Sequence, residues 1–135
     1  MIQKLTPPDS MNAITYFEIQ SSKPQREIEF YNTAFGWTFE RVESAPVEYY
    51  MITTENLRGG LMERPAKVPP QEHGTNAFIC SIEVDSFDAT AQKILDAGGI
   101  VAMEKFPLPG RGWMGYFMDA DNNAFGVFEE DTEVE

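Results

Sequence analysis

Phe17-Glu18-Ile19, followed downstream by Ala34-Phe35-Gly36, has a counterpart in Cys80-Ser81-Ile82, followed by Ala97-Gly98-Gly99. Ile19 and Gly36 stand 17 residues apart, as do Ile82 and Gly99, and the offset between the two pairs is 63 in both cases (19 to 82, 36 to 99). Few letters match, so the order of elements around them carries the weight. Ala13 to Gln20 alternates as a strand does, with Thr15, Phe17 and Ile19 on one face and Tyr16 and Glu18 on the other. Ser22 is placed to cap a helix and Pro24 to sit in its first turn, where a missing N–H costs nothing. Ile28, Tyr31 and Phe35 then fall at helical spacing, and Gly36 ends the run. Strands are expected over 37–42, 48–54 and 59–63. The stretch from Arg64 to Gly74 holds three prolines and reads as an exposed linker.

The pattern then restarts. Residues 76–84 read as a strand with Phe78, Cys80, Ile82 and Val84 on one face. Asp85 or Ser86 can cap a helix that groups Phe87, Ala91, Ile94 and Leu95, with Gly98 and Gly99 as its stop. Three more strands are expected over 100–104, 113–119 and 124–129. The arm over residues 1–11 and the acidic tail over 130–135 read as loose ends.

Each half therefore reads strand, helix, strand, strand, strand. One such unit is a sheet covered by a helix on one face only, and its other face needs a partner. The expectation is an α+β domain over 1–135: two βαβββ modules (13–63 and 76–129, with linker 64–75) forming a curved, cup-shaped mixed sheet with helices on the outer face. Phe17, Ile19, Ile82 and Val84 would face the helices. Tyr16, Glu18, Ile79 and Ser81 would line the hollow, a natural place for a ligand.

Composition narrows the function classes. Ten Lys plus Arg against 22 Asp plus Glu give a net charge of -12. That leaves little material for the basic stripe of a nucleic-acid binder, and anionic membrane surfaces are disfavoured for the same reason. Cys80 is the single cysteine, so no internal disulfide can form, which suits a reducing cytoplasm. Met1 to Met11 lacks the apolar core of a secretory leader, and no run of about 18 apolar residues offers a membrane span.

The arrangement resembles the vicinal-oxygen-chelate superfamily, which includes glyoxalase I, extradiol dioxygenases, methylmalonyl-CoA epimerase and bleomycin-binding proteins. The likeness is carried by Ile28-Glu29-Phe30-Tyr31 running into Ala34-Phe35-Gly36-Trp37, by Ala97-Gly98-Gly99, and by the turn from Asp119 to Asn123 leading into the ending at Glu129. It covers about residues 13 to 129. The resemblance implies a divalent cation held by four side chains, one from the first and one from the fourth strand of each module. Those positions fall on Tyr16, near Gly60, near Ile79 and near Gly126. A phenol, two glycines and an isoleucine do not make that site, since such ions need carboxylate, imidazole or thiolate donors. No metal or other cofactor is therefore expected, and lactoylglutathione lyase activity is not expected either.

Glu18 is the candidate general acid or base, because a carboxyl in an aromatic-lined hollow suits proton transfer. Tyr16, Glu18, Ile79, Ser81, Trp113 and Phe128 are the candidate ligand-binding residues. A core role for Trp113 stands equally open. His73, the single histidine, reads as a solvated linker residue, and Cys80 as a buried inert thiol. Asp119-Ala-Asp121-Asn122-Asn123 reads as a tight strand connection, since it lacks the glycine and distant glutamate of a calcium loop. Three functions fit these residues: a metal-free binding protein for a small organic ligand, a metal-independent isomerase or lyase using Glu18, and an interaction module with a filled hollow. The resemblance also implies a homodimer.

Overall fold

The computed structural model describes residues 11–70, 72 and 74–135; the readings of the arm over 1–10 and of His73 lie outside the described residues. The chain divides into two compact units, Tyr16–Ile79 and residues 11–15 with Cys80–Glu135.

In the first, β1 (Ala13–Ser21) from Tyr16 onward, α1 (Pro24–Phe35), β2 (Thr38–Arg41), β3 (Tyr49–Thr53) and β4 (Arg58–Glu63) follow in chain order. The strands lie in the order β2-β3-β4-β1. β1 runs parallel to β4, with Glu18 opposite Gly60, and the other pairs are antiparallel. Period-two alternation sends Phe17 and Ile19 of β1, Tyr50 and Ile52 of β3 and Leu61 of β4 to one face, where they form a buried cluster. Ile28 and Tyr31 of α1, with Trp37 and Phe39, pack against it. Leu61 is completely buried, which stabilises the unit by about 1.5–3 kcal/mol. Close packing requires Gly59, because a Cβ there would run into the Phe17 ring.

The second unit contains β5 (Ile79–Glu83) from Cys80 onward, α2 (Phe87–Asp96), β6 (Ile100–Leu108), β7 (Gly112–Met118) and β8 (Ala124–Glu130). Its strands lie in the order β5-β8-β7-β6, with β5 parallel to β8. Val84, Phe87, Phe117 and Val127 are its buried core, and Ile82, Ala91, Ile94, Trp113 and Phe125 pack on them. Ser86 caps α2 by accepting a hydrogen bond from the Ala89 N–H at 3.2 Å. A second cap comes from β8, where Glu129 Oε1 accepts the Phe87 N–H at 2.7 Å. A carboxylate at a helix N-terminus also meets the positive end of the helix dipole. The fold class is thus α+β, with strand, helix and three strands in each half.

Several boundaries differ from the expectation. Lys23, not Ser22, is the N-cap of α1 and makes no side-chain cap; the hydroxyl of Ser21 instead accepts the Lys23 N–H at 3.0 Å. The first strand of the second half starts at Ile79, three residues late. β6 continues to Leu108, well past Glu104. Register shifts between Val101 and Met103 and between Met103 and Phe106 break its alternation, and this hides the strand from a period-two reading. Phe35 and Leu95, read as helix-core residues, are exposed at the ends of their helices. The acidic tail is not loose: Val134 is buried, its carbonyl accepts the Gly110 N–H at 2.7 Å, and Asp131 N–H donates to the Arg111 carbonyl at 2.8 Å.

The Asp119 turn is the tight connection expected. Asn122 takes the left-handed conformation, and Asp119 Oδ1 accepts from the Asp121 and Asn123 N–H groups at 2.9 Å each. Those bonds, the Asn123 contact first, hold its carboxyl below the usual carboxylate range.

Candidate functional site

Alternation that buries Phe17 and Ile19 sends Tyr16, Glu18 and Gln20 to the face away from α1. Register does the rest. Tyr49 lies opposite Met62 and Met51 opposite Gly60, so these side chains share that face with Glu18. Glu18 is only 7% exposed, unusual for a carboxylate. The Tyr49 hydroxyl donates to Glu18 Oε2 at 3.3 Å. The Tyr16 and Tyr49 hydroxyls share a hydrogen bond of 2.6 Å, and the Tyr16 hydroxyl lies 3.7 Å from the Met51 sulfur. The result is a connected chain, Tyr16–Tyr49–Glu18, on one sheet face.

Gly60 makes the chain possible. A Cβ at Gly60 would overlap both the Tyr49 and the Tyr16 hydroxyls. The two phenols therefore occupy the space that a side chain at position 60 would need. Tyr49 was not among the predicted site residues. Its position in an alternating Tyr-Tyr-Met-Ile run marks it as a strand residue, but which face it shares with Glu18 depends on a strand pairing that local sequence does not state.

In the second unit, Ser81 lies opposite Gly126, Met114 opposite Phe128, and Tyr116 opposite Gly126. These residues share the face away from α2. Phe106 stacks on Tyr116 with ring centroids 6.4 Å apart. Ser81 is buried, and a Cβ on Gly126 would meet its hydroxyl and the Met114 methyl. Trp113 lies on the other face. It packs with the α2 core, and the Lys105 ammonium sits 4.6 Å from its ring. Trp113 is thus kept apart from Ser81 and Phe128. Ile79 is half-buried at the start of β5. Glu83 shares the strand face of Ser81; burial first, and Glu130 second, push its carboxyl above the usual range.

The donor set does not fit a divalent ion at the places the resemblance assigns. Gly60 and Gly126 offer no side-chain donor, and their Cβ space is already filled. Among the described residues no three His, Cys, Asp or Glu side chains converge. An open groove of about 430 Å³ lies elsewhere on the first unit, beside α1, lined by residues that include Gln25, Asn32 and Trp37.

Residues 13–127 match the Glyoxalase/Bleomycin resistance protein/Dioxygenase superfamily. The chain belongs to this superfamily. Proteins of Mycobacterium bovis and Mycobacterium tuberculosis, each named "Putative glyoxylase CFP32", are 30% identical over 114 residues, which is 83% of this chain and 42% of theirs. The chain therefore spans about two fifths of the length of these curated relatives. Solved superfamily folds align along most of the chain. Methylmalonyl-CoA epimerase from M. tuberculosis gives a TM-score of 0.64 at 11% identity, covering 94% of this chain and 93% of its own. The Mn(II)-bound glyoxalase of Novosphingobium aromaticivorans gives 0.61 at 20% identity, covering 93% of this chain and 40% of its own. At these identities the likeness establishes the fold. No helix among the described residues is long and apolar enough to cross a membrane.

Proposed function

We propose that the protein binds a small organic molecule on the sheet face of Tyr16, Tyr49 and Glu18, and does so without an ion at the superfamily's metal position. The observation that carries this reading is the filling of the Gly60 side-chain space by two hydrogen-bonded phenols. A carboxylate held by a phenol, with the thioether of Met51 alongside, offers both polar anchoring and adaptable apolar contact. Ile79 supplies a flanking contact in this reading; Ser81 and Phe128, on the sheet face of the second unit away from α2, are proposed as ligand-binding residues of that unit. Trp113 contributes least, being packed with the α2 core.

A ligand that binds only the folded state raises the unfolding temperature by mass action. A thermal-shift screen of divalent cations and small metabolites is the direct test. Organic ligands should stabilise the protein, and Glu18→Gln should weaken them. A stoichiometric ion, or stabilisation by cations alone, would overturn the metal-free reading.

The second reading is a metal-independent isomerase or lyase, with Glu18 as general acid or base and Tyr16 orienting the substrate. The burial of Glu18 within hydrogen-bond reach of a phenol favours it. An activity whose pH–rate profile survives Glu18→Gln would rule it out. A homodimer belongs to the proposal, supported by the exposed Ile100, Val101 and Met103 of β6; sedimentation equilibrium tests it. A reducing compartment such as the cytoplasm suits the lone Cys80.

A further inference from the structure

β2 ends the strand order of the first unit and, among the described residues, pairs with β3 alone. Antiparallel strands bond on alternate residues, so each N–H and C=O pair points either to the partner or away from it. Val42 N–H donates to the Tyr49 carbonyl at 2.9 Å, which assigns Glu40 and Thr38 to the β3 side as well. Trp37, Phe39 and Arg41 then point outward. Asn32 of α1 agrees with this parity, since its Nδ2 donates to the Trp37 carbonyl at 2.9 Å. The outer edge thus offers the N–H and C=O groups of Phe39 and Arg41, on a strand whose Thr38, Glu40 and Arg41 are exposed. The open groove of about 430 Å³ lies between this edge and α1. Half-buried Ile28, Trp37 and Phe39 form its apolar side, and exposed Gln25, Glu29 and Asn32 its polar side. Both amides are held by their nitrogens, Asn32 on Trp37 and Gln25 on the Tyr50 hydroxyl at 2.7 Å. Their oxygens and the Glu29 carboxylate are acceptors, and no Lys or Arg among the described residues lines the groove.

We propose that this edge and groove bind an extended peptide segment carrying a lysine, which adds to β2 as a further strand. In strand addition the main chain supplies affinity, and side chains entering a neighbouring pocket supply specificity. Phe39 lies opposite Ile52 of the buried cluster and packs on it, so its face is the α1 side. A residue laid against Phe39 shares that face and sends its side chain into the groove. A lysine there runs its methylene stem along Ile28, Trp37 and Phe39 and brings its ammonium to Glu29. Charge selects the partner. The net charge of -12 draws a basic segment and repels a second copy of this chain. With only four residues, β2 suits a short segment better than a long seam between two sheets. The inference concerns the α1 side of the sheet, goes beyond the Glu18 reading and does not depend on it.

The test uses the whole chain, labelled with 15N, and follows it by NMR during titration with the acetylated and amidated pentapeptide Thr-Val-Lys-Val-Thr at constant ionic strength. The expected result is a saturable shift of the Phe39 and Arg41 amide resonances and of the Trp37 indole. The same peptide with its lysine N-methylated on the backbone cannot donate to the edge and should bind about tenfold more weakly or worse. A peptide with glutamate in place of lysine should bind more weakly than the parent. Glu29→Lys turns an attraction into a repulsion and should weaken the lysine peptide by about tenfold. Phe39 and Arg41 amides that do not move, or an N-methylated peptide that binds equally, overturn strand addition. Equal binding of the glutamate peptide, or no effect of Glu29→Lys, overturns the basic-ligand assignment. Shifts of the same amides on concentrating the protein alone would give the edge to a second copy and overturn the proposal too. Should Glu29→Lys fail to fold, the three wild-type titrations still decide.

Discussion

Gly60→Ala adds one methyl at the point where two phenols meet. The new Cβ would overlap the hydroxyls of Tyr49 and Tyr16, so the pair must separate. Separation breaks the 2.6 Å bond between them and the 3.3 Å bond from Tyr49 to Glu18. Leaving a buried carboxyl without its hydrogen-bond donor costs about 1–3 kcal/mol, and overpacking costs about 1–3 kcal/mol. Against this, alanine stiffens the unfolded chain and returns about 0.4–1 kcal/mol. Gly60 does not have a positive φ, so no backbone strain enters. The net expectation is a loss of about 2–4 kcal/mol, since the bond and packing costs overlap. Urea unfolding should show the midpoint falling by about 1–2 M at unchanged slope. Tyr49→Phe removes one of the two clashing oxygens, so the double variant Gly60→Ala/Tyr49→Phe should be less destabilised than the sum of the singles, by about 1 kcal/mol or more. A Gly60→Ala protein within about 0.5 kcal/mol of wild type would refute the claim that the phenols fill the Gly60 space, as would strict additivity in the cycle.

Two further perturbations probe the second unit. Glu129→Ala removes the acceptor of the Phe87 N–H and should cost about 1–2 kcal/mol in chemical denaturation, whereas Glu129→Gln keeps an amide oxygen there and should cost less than half as much. Glu83 has its folded-state pKa raised by burial and by Glu130, so the folded protein holds this proton more tightly than the unfolded chain. Its stabilising contribution is present below the usual carboxylate range and is lost as pH rises through the raised value. Glu83→Gln should therefore be more stable than wild type near neutral pH, with the gap closing on acidification below the usual range; a gap that widens in acid would contradict the direction of the shift.

The repeat of Ile19 to Gly36 in Ile82 to Gly99 announced the order of elements, and composition left little material for a basic stripe. Reading fails where alternation is interrupted or where an end is held from elsewhere. β6 was cut short because its register shifts put successive residues out of phase. The tail was read as loose because only the distant Gly110 and Arg111 reveal its anchoring. That Tyr16 and Glu18 share a strand face was legible from parity alone. That Tyr49 meets them was not, since it does so only through the pairing of β3 with β4. For Trp113 both readings were open in sequence, and only the packing shows its ring against the α2 core.

By itself, then, the sequence determined which residues alternate, where helices stop, and which chelating side chains are absent from residues 16, 60, 79 and 126, because spacing and residue chemistry are local properties. Tertiary structure decided what fills the Gly60 space and what holds Glu18. Those are meetings between residues far apart in the chain, set by strand register and packing, and no local pattern encodes them.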